Sequence, residues 1–511
     1  MLNFADLAFA DLPALLARHA ADAPGRDAVV DPTGTTSYGE LDRMTDAVAA
    51  ALQRDGVMPG DSVAFCGAAS MRAVALYLGI LRAGAVAVPL STGVTPDVLA
   101  RMLDNAQARC LALDRGAAPL ADGVDVARIA LDDDAAVGRP WTAWLADSGG
   151  TPAPVTLTPD MPLNIIYSSG TTGEPKGIVQ SHGMRFNHIQ RGLRYGYGPD
   201  TRTLLSTPLY SNTTLVVFFP TLAFGGTVVL QPKFDAGAWL ALAARERITH
   251  TMLVPVQYRR LLAHPDFDRT DLSAFRMRFC TSAPFPAELK AEVLRRWPGG
   301  LVEFYGMTEG GGTCLLEAHV HPDKLHTVGR PAPGHELRLI DEQGRPCGPG
   351  DMGEVVGRSP GMMTGYHRRP EATREAEWFD DQGRRHIRTG DVGRFDEDGF
   401  LVLLDRRKDL IISGGFNVYP SDLEAVLRRH PEVEDVAVVG VPSPDWGETP
   451  VAFVVPRSDA GPDPESLRDW ANAQLGKTQR LHALRLTDEL PRNAIGKVLK
   501  RALRELWLGS P

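Results

Sequence analysis

The residues best suited to chemistry run from Tyr167 to Gly177, reading Tyr-Ser-Ser-Gly-Thr-Thr-Gly-Glu-Pro-Lys-Gly, directly after an apolar stretch. Ser168, Ser169, Thr171 and Thr172 bring hydroxyls, Gly170, Gly173 and Gly177 bring accessible backbone N–H groups, and Lys176 brings a cation. That set is what a polyphosphate requires of a loop. It is not a Walker A sequence. Counted from Gly170, Pro175 stands where the second glycine belongs, and Gly177 rather than Ser or Thr follows Lys176. An ordinary P-loop nucleotidase is disfavoured; the bland alternative is a flexible surface loop with a chance lysine.

Such a loop needs a strand before it and layers that cover the sheet. Leu163 to Tyr167 supplies the strand, and Thr203–Thr207, Thr227–Leu230, Thr249–Val254, Met277–Thr281 and Leu301–Tyr305 read the same way. Helix-length segments such as Ala236–Arg247 and Pro286–Arg296 lie between them, which predicts parallel sheets covered on both faces. Earlier, Ser37 to Glu40 is a capping box opening a helix to Arg54, with a strand at Ser62–Phe65. After Pro331, short strands at His335–Ile340, Gly353–Gly357, His386–Thr389 and Phe400–Leu404 alternate with turn clusters, predicting a small antiparallel β unit. Beyond Arg406 the pattern predicts strands at Leu410–Ser413, Val436–Val441 and Val451–Val455. It also predicts helices at Pro420–Arg429, capped by Ser421 and Glu424, at Glu465–Leu475 and at Val498–Trp507.

The 511 residues are 43% hydrophobic and 23% charged, which excludes disordered, collagen-like and low-complexity classes. With 54 basic against 63 acidic side chains and a net charge of -9, no nucleic-acid partner is expected. Cys66, Cys110, Cys280, Cys314 and Cys347 form no CxxC pair, so neither a disulfide framework nor a zinc site is expected and a reducing cytoplasm fits. Asp6, Asp11, Arg18 and His19 interrupt the N-terminal segment as they would not in a signal peptide. The most apolar window, Leu215–Leu230, is broken by Pro220, Gly225 and Gly226, so no integral membrane contact is expected.

Four further segments accompany the loop in order: Tyr305-Gly306-Met307-Thr308-Glu309; Arg388-Thr389-Gly390-Asp391; Asp405-Arg406-Arg407-Lys408-Asp409 with Ile412-Ser413-Gly414-Gly415; and Pro491-Arg492-Asn493-Ala494-Ile495-Gly496-Lys497. Together they resemble the motif set of the adenylate-forming superfamily, which comprises acyl- and aryl-CoA synthetases, luciferases and peptide-synthetase adenylation domains. The resemblance implies an α/β fold: a large N-terminal domain of two parallel doubly wound sheets plus a small β-barrel unit, then a small mobile α+β domain. The implied boundaries are 1–405, of which 331–405 is β-rich, and 406–511.

The resemblance also implies a stand-alone acyl- or aryl-CoA synthetase. Such an enzyme joins a carboxylic acid to the α-phosphate of ATP, releases pyrophosphate and passes the acyl group to CoA. Both steps build negative charge, so cations, N–H donors and Mg2+ suit them. By resemblance, Ser168, Ser169, Gly170, Thr171, Thr172 and Lys176 hold the β- and γ-phosphates, Thr308 contacts the α-phosphate, and Glu309 holds Mg2+ as a hard oxygen ligand. Ser282, Ala283, Pro284, Glu303, Phe304, Tyr305 and Gly306 line the adenine pocket with Tyr305 stacking, and Asp391 takes the ribose hydroxyls beside Arg406. Lys497 reaches between substrate carboxylate and α-phosphate. Taken singly, Asp391 is also compatible with a turn cap, Glu309 with a solvated carboxylate and Lys497 with an exposed lysine opening a basic helix to Arg504. Their register with the phosphate loop favours the functional roles.

Lys408 occupies the family's hinge position, about which the small domain swings between half-reactions. Ser413, Gly414 and Gly415 then line the thiol tunnel, Asn417 contacts the nucleotide, and Trp446 either stacks on the adenine of CoA or packs inside the small domain. The family's gating histidine is replaced by Ser211, and Tyr210–Phe218 has no acidic residue to pair with an amino-acid substrate. Tyr210, Thr213, Val256, Met307, Gly310 and Gly311 form the expected acid pocket; with no cation near them in sequence, an apolar or aromatic tail is expected. The chain ends at Pro511, soon after Lys497, so the acceptor is expected from outside: free CoA, or alternatively a separate carrier protein. A catalytically idle nucleotide-binding protein is disfavoured by the intact set of Lys176, Glu309, Asp391 and Lys497.

Overall fold

The computed structural model describes residues 4, 6–146, 150–168, 175–406, 409, 411–413, 416–444, 446–458, 461–475, 480–493 and 496–509. For Ser168, Asp405, Arg406, Phe416 and Asn417 the description covers the backbone alone. The chain forms two compact units: residues 1–325, 331–336 and 358–387 make the first, and 326–330, 337–357 and 388–511 the second.

Apolar runs too continuous for a one-sided sheet build the first unit. In one sheet, Pro162–Ser168, Val86–Leu90, Ser62–Cys66, Cys110–Leu113, Ala127–Ala130 and Arg139–Pro140 run parallel in that order. Lys176–Ser181 and then Gly365–Tyr366 add antiparallel to the Pro162–Ser168 edge. In the other, Gly300–Gly306, Met277–Cys280, His250–Leu253, Arg202–Leu205, Thr227–Leu230 and Asp27–Asp31 run parallel, flanked by antiparallel Thr313–Glu317 and Gly34–Ser37. One core joins Val63 and Phe65 of the first sheet to Val228 and Leu230 of the second. Helices Met71–Arg82 and Asn212–Ala223, apolar nearly all round, contribute Leu76, Tyr77, Phe218 and Phe219 to it. Helix Tyr38–Arg54 begins with the expected reciprocal cap: Ser37 Oγ accepts from Glu40 N–H, and the Glu40 carboxylate accepts from Ser37 N–H.

A further sheet has Glu336–Ile340, Gly353–Arg358, Arg385–Phe395 and Leu401–Arg406 as neighbours in that order. The strand expected at His386–Thr389 is longer because it has partners along its length: Arg385–Ile387 pair with Glu377–Phe379 in the first unit, and Asp391–Phe395 with Leu401–Arg406 in the second. Further on, Val433–Ser443 and Gly447–Pro456 form a ten-pair antiparallel ribbon joined by Ala483–Leu486 and Ile411–Ser413. Its alternation decides the packing. Val436, Val438, Ala452 and Val454 face helices Pro420–Leu427 and Pro464–Asn472, while Ala437, Val439, Val451 and Phe453 face Leu503 of Lys500–Leu508.

Two helix starts differ from the sequence expectation. Pro420, which lacks an N–H and has its φ fixed, opens its helix, so Ser421 lies inside the first turn and donates to the Leu404 carbonyl instead of capping. Glu424 accepts from Val438 N–H at 3.0 Å. The last helix begins at Lys500 rather than Val498, because Val498 is bridged to Arg492; Lys497 therefore precedes the helix. Among the described residues no helix is long and apolar enough to cross a membrane, and all five cysteines are free thiols.

Candidate active site

In the first unit, strands Pro162–Ser168 and Lys176–Ser181 pair as a hairpin with Ser168 opposite Lys176 and Tyr167 opposite Gly177. Ser169, Gly170, Thr171 and Thr172 lie outside the described residues. The hairpin is clamped at its base. Tyr167 Oη donates to Asn105 Oδ1 at 2.7 Å, and His367 N–H donates to the Gly177 carbonyl at 2.7 Å. A Cβ at Gly177 would stand 2.8 Å from Ile165 Cγ2, so only glycine lets the strands close.

Lys176 extends over the ring of Tyr366, with Nζ 5.2 Å from its centroid. The same tyrosine donates from Oη to Glu309 Oε1 at 2.8 Å, and Glu309 is 8% exposed, which removes the solvated-loop alternative. Burial and the neighbouring carboxylate push the Tyr366 phenol far above its ordinary range, so it remains a donor. Tyr366 therefore ties the cation of the phosphate loop to the carboxylate expected to hold Mg2+. Nothing in sequence marks Tyr366; it reaches the site through the short strand Gly365–Tyr366 on the outgoing arm of the hairpin.

Gln180, four residues beyond Lys176 on that arm, donates to the Thr308 carbonyl at 2.7 Å. Its own carbonyl accepts from Arg185, a 1%-exposed guanidinium that also donates to Asn212 Oδ1 at 2.8 Å and Asn164 Oδ1 at 3.4 Å. These partners are neutral, and burial pushes Arg185 down to about 10, where it is still a cation at neutral pH. A buried arginine thus sets the Thr308 backbone and the first residue of helix Asn212–Ala223 together, a linkage the sequence does not display. Met307 packs with Ile178, Met363 and Tyr366.

Of the residues expected to line an adenine pocket, Ser282, Ala283 and Tyr305 are half-buried and Pro284 is exposed at the ends of strands Met277–Cys280 and Gly300–Gly306, where Gly306 is also exposed. Phe304 packs by its ring on Phe279 and Tyr195. Glu303 is a correction: its carboxylate is buried and ion-paired with Lys290 at 2.5 Å, so its side chain holds helix Ala287–Arg296 to the sheet instead of lining a pocket. Strand alternation explains it, since Glu303 points to the helix-covered face.

Around the expected acid pocket, Ser282 stands at φ +79, a left-handed backbone uncommon outside glycine, and its Oγ lies 2.6 Å from Thr213 Oγ1. Tyr210 is half-buried, and Val256 lies in the first turn of Pro255–Leu262. Gly310 and Gly311 are buried. At Gly310, φ +74 and a would-be Cβ 1.9 Å from the Gly361 carbonyl oxygen make glycine obligatory.

In the second unit, Asp391 follows Gly390 at φ +70, and its N–H donates to Thr389 Oγ1 at 3.0 Å, while Thr389 donates to the Val355 carbonyl at 2.8 Å. Arg388 forks onto Glu354. Arg406 pairs through its backbone with Asp391, and Asn417 with Ile412. Ser413 faces Gly447 across the sheet. Lys408, Gly414 and Gly415 lie outside the described residues. Trp446 is 58% exposed, which excludes the packing alternative. Lys497 sits in a clamped turn: its N–H donates to Asn493 Oδ1 at 2.9 Å, its carbonyl accepts from Asn493 N–H at 2.9 Å, and Arg492 bonds both Gly496 O and Asp435 at 2.5 Å.

The family model described as AMP-binding enzyme matches residues 16–367, and that described as AMP-binding enzyme C-terminal domain matches 422–497. The chain belongs to the AMP-binding enzyme family. It is 36% identical over 503 residues to a feruloyl-CoA synthase of Amycolatopsis sp, covering 95% of this chain and 97% of that protein. It is 34% identical over 508 residues to an indoleacetate–CoA ligase of Aromatoleum aromaticum, covering 96% of each. ATP-bound MatB from Rhodopseudomonas palustris superposes with a TM-score of 0.88 at 33% identity, covering 98% of this chain and 99% of that one.

Proposed function

We propose that this protein is an ATP-dependent carboxylic acid–CoA ligase working through an acyl-AMP intermediate. The observation that carries the proposal is the Lys176–Tyr366–Glu309 contact, which joins the first two motif segments on one side chain. In the first half-reaction a carboxylate oxygen of the acid attacks the α-phosphorus of ATP, and the bond from that phosphorus to the bridging oxygen breaks to release pyrophosphate. In the second, the thiol sulfur of CoA attacks the acyl carbon, the acyl–oxygen bond breaks to release AMP, and the thiol proton passes to solvent.

Ser168, Ser169, Gly170, Thr171, Thr172 and Lys176 hold the β- and γ-phosphates, and Thr308, fixed by Gln180, orients toward the α-phosphate. Glu309 suits Mg2+: it is a single hard oxygen donor, held by Tyr366, and Mg2+ commonly takes one protein carboxylate beside phosphate and water oxygens. When bound, Mg2+ neutralises charge developing on the phosphate oxygens. Asp391 and Arg406 take the ribose, Ser282, Ala283, Pro284, Phe304, Tyr305 and Gly306 the adenine, and Lys497 the charge between carboxylate and α-phosphate.

Asn417 contacts the nucleotide. Lys408 is the hinge, and Ser413, Gly414, Gly415 and the exposed Trp446 serve CoA. Tyr210, Thr213, Val256, Met307, Gly310 and Gly311 face the acid, whose tail is aromatic; the names of the feruloyl-CoA synthase and the indoleacetate–CoA ligase support that choice. Free thiols and a net charge of -9 support a cytoplasmic enzyme without a nucleic-acid partner. Acid-dependent exchange of labelled pyrophosphate into ATP tests the assignment. Exchange with an aryl acid is expected; no exchange with any of a panel of aryl and alkyl acids would refute it.

A further inference from the structure

Sequence proximity shows no cation beside the expected acid pocket, but the first unit brings one to its wall. Met184, His188 and Arg191 follow one another at spacings of four and three residues, along one face of helix His182–Gln190 and the turn Arg191–Tyr195 that continues it. Met184 packs on the glycine wall. A Cβ at Gly310 would lie 2.9 Å from Met184 Cε, and one at Gly361 would lie 3.6 Å from Met184 Cγ and 3.8 Å from His188 Nε2. The face thus runs from the pocket residue Gly310 outward to Arg191.

His335 joins it from the loop after Ala332, whose N–H bonds the Thr313 carbonyl just beyond the glycine run. Burial first, then the neighbouring Arg191, holds His335 down to about 4 and His188 well below its ordinary value, so both rings are neutral at pH 7. Burial pushes Arg191 down to about 10, leaving it a cation. Among the described residues Arg191 makes no ion pair and no side-chain hydrogen bond, and the buried Nδ1 of His335 and Oη of Tyr195 have no partner. Glu317, the carboxylate that acts on Tyr195, is already forked by Arg194 at 3.0 and 2.5 Å. A half-buried cation that no side chain pairs stands beside two buried polar atoms without partners, an arrangement that an oxygen of a ligand would satisfy.

We infer that Arg191, His188, His335 and Tyr195 form the far end of the acid pocket and read an oxygen carried by the tail of an aryl acid, whether hydroxyl, methoxyl or carboxylate. The inference rests on the ligase assignment and narrows its substrate class. Arg191 donates to that oxygen, and the neutral imidazoles and the phenol complete its hydrogen bonds. An unsubstituted ring would leave these groups unpaired, which is how polar pockets reject apolar analogues.

The test compares kcat/KM for CoA-thioester formation by the full-length protein with cinnamic acid and its 4-hydroxy, 4-methoxy and 4-carboxy analogues. At least one oxygenated acid is expected to exceed the plain ring by roughly 10- to 100-fold. Preference for the hydroxy or methoxy acid identifies a neutral acceptor, and preference for the 4-carboxy acid identifies an anion; either supports the inference. Arg191→Met and His335→Phe are each expected to pull the ratio toward one, with Arg191→Lys retaining part of it. Because the ratio is taken on one preparation, a general loss of folded enzyme cancels. A wild-type ratio near one for every analogue, or an unchanged ratio in both variants, overturns the inference. No turnover of any of the four acids, with pyrophosphate exchange retained for other acids, also overturns the inference; no exchange across the aryl and alkyl panel overturns the ligase assignment instead.

Discussion

Replacing Tyr366 by phenylalanine removes one interaction and keeps another. The phenol donates to Glu309 Oε1 at 2.8 Å in a site where Glu309 is 8% exposed, while the ring underlies Lys176 Nζ at 5.2 Å. A buried hydrogen bond to a charged group contributes about 1.5–3 kcal/mol, and Phe preserves the ring contact. If Glu309 must be held to receive Mg2+, Tyr366→Phe should lower kcat/KM for adenylation by roughly 10- to 150-fold, with a higher Mg2+ requirement. Tyr366→Leu loses the ring as well, worth about 0.5–2 kcal/mol more, and should fall further, mainly through KM for ATP. Acid-dependent pyrophosphate exchange across a Mg2+ titration measures both. Tyr366→Phe within twofold of wild type at every Mg2+ concentration, with the fold intact by circular dichroism, would refute the coupling of Lys176 and Glu309 through this residue.

Lys290→Met leaves the Glu303 carboxylate buried without its cation and should cost about 3–5 kcal/mol at pH 8, measured by denaturant melts. Burial already raises Glu303 above its unfolded value, so the native state holds the proton more tightly. Stability is then greatest below the unfolded carboxylate range and is lost as pH rises through the folded value. The variant's deficit should therefore be smaller at pH 5 than at pH 8, and an equal deficit at both would contradict this. Gly310→Ala should lose at least about 1–2 kcal/mol from its φ of +74 alone, plus the overlap with Gly361, seen as a lower Tm. Lys497→Ala should abolish adenylation yet largely spare thioester formation from supplied acyl-AMP; equal loss of both half-reactions contradicts its assigned role.

Motifs that carry their own chemistry were legible in the chain. The ordered motif segments identify the family, whose models match residues 16–367 and 422–497, and the alternation of apolar strands with helices announces the parallel sheets. What escaped was whatever depends on long-range pairing. Tyr366 looks like any tyrosine until Gly365–Tyr366 pairs with Ile178 and Val179. Arg185 carries no motif, and only the fold shows it 1% exposed among the neutral partners Gln180, Asn164 and Asn212. Glu303 lies within a motif-bearing strand, but alternation turns it to the opposite face, toward Lys290. Ser421 has the spacing of a capping residue and loses the role to the adjacent Pro420, whose fixed φ starts the helix one residue earlier.

In the proposed reaction, ATP is consumed to make an acyl-adenylate before any thiol is engaged. The direct measurement is mass spectrometry of a quenched single turnover with an aryl acid, ATP and Mg2+, first without CoA and then after its addition. Acyl-AMP is expected on the enzyme in stoichiometric amount, converted on addition of CoA to thioester and AMP. ADP and phosphate as products, or thioester formed with no adenylate detectable on the way, would contradict it.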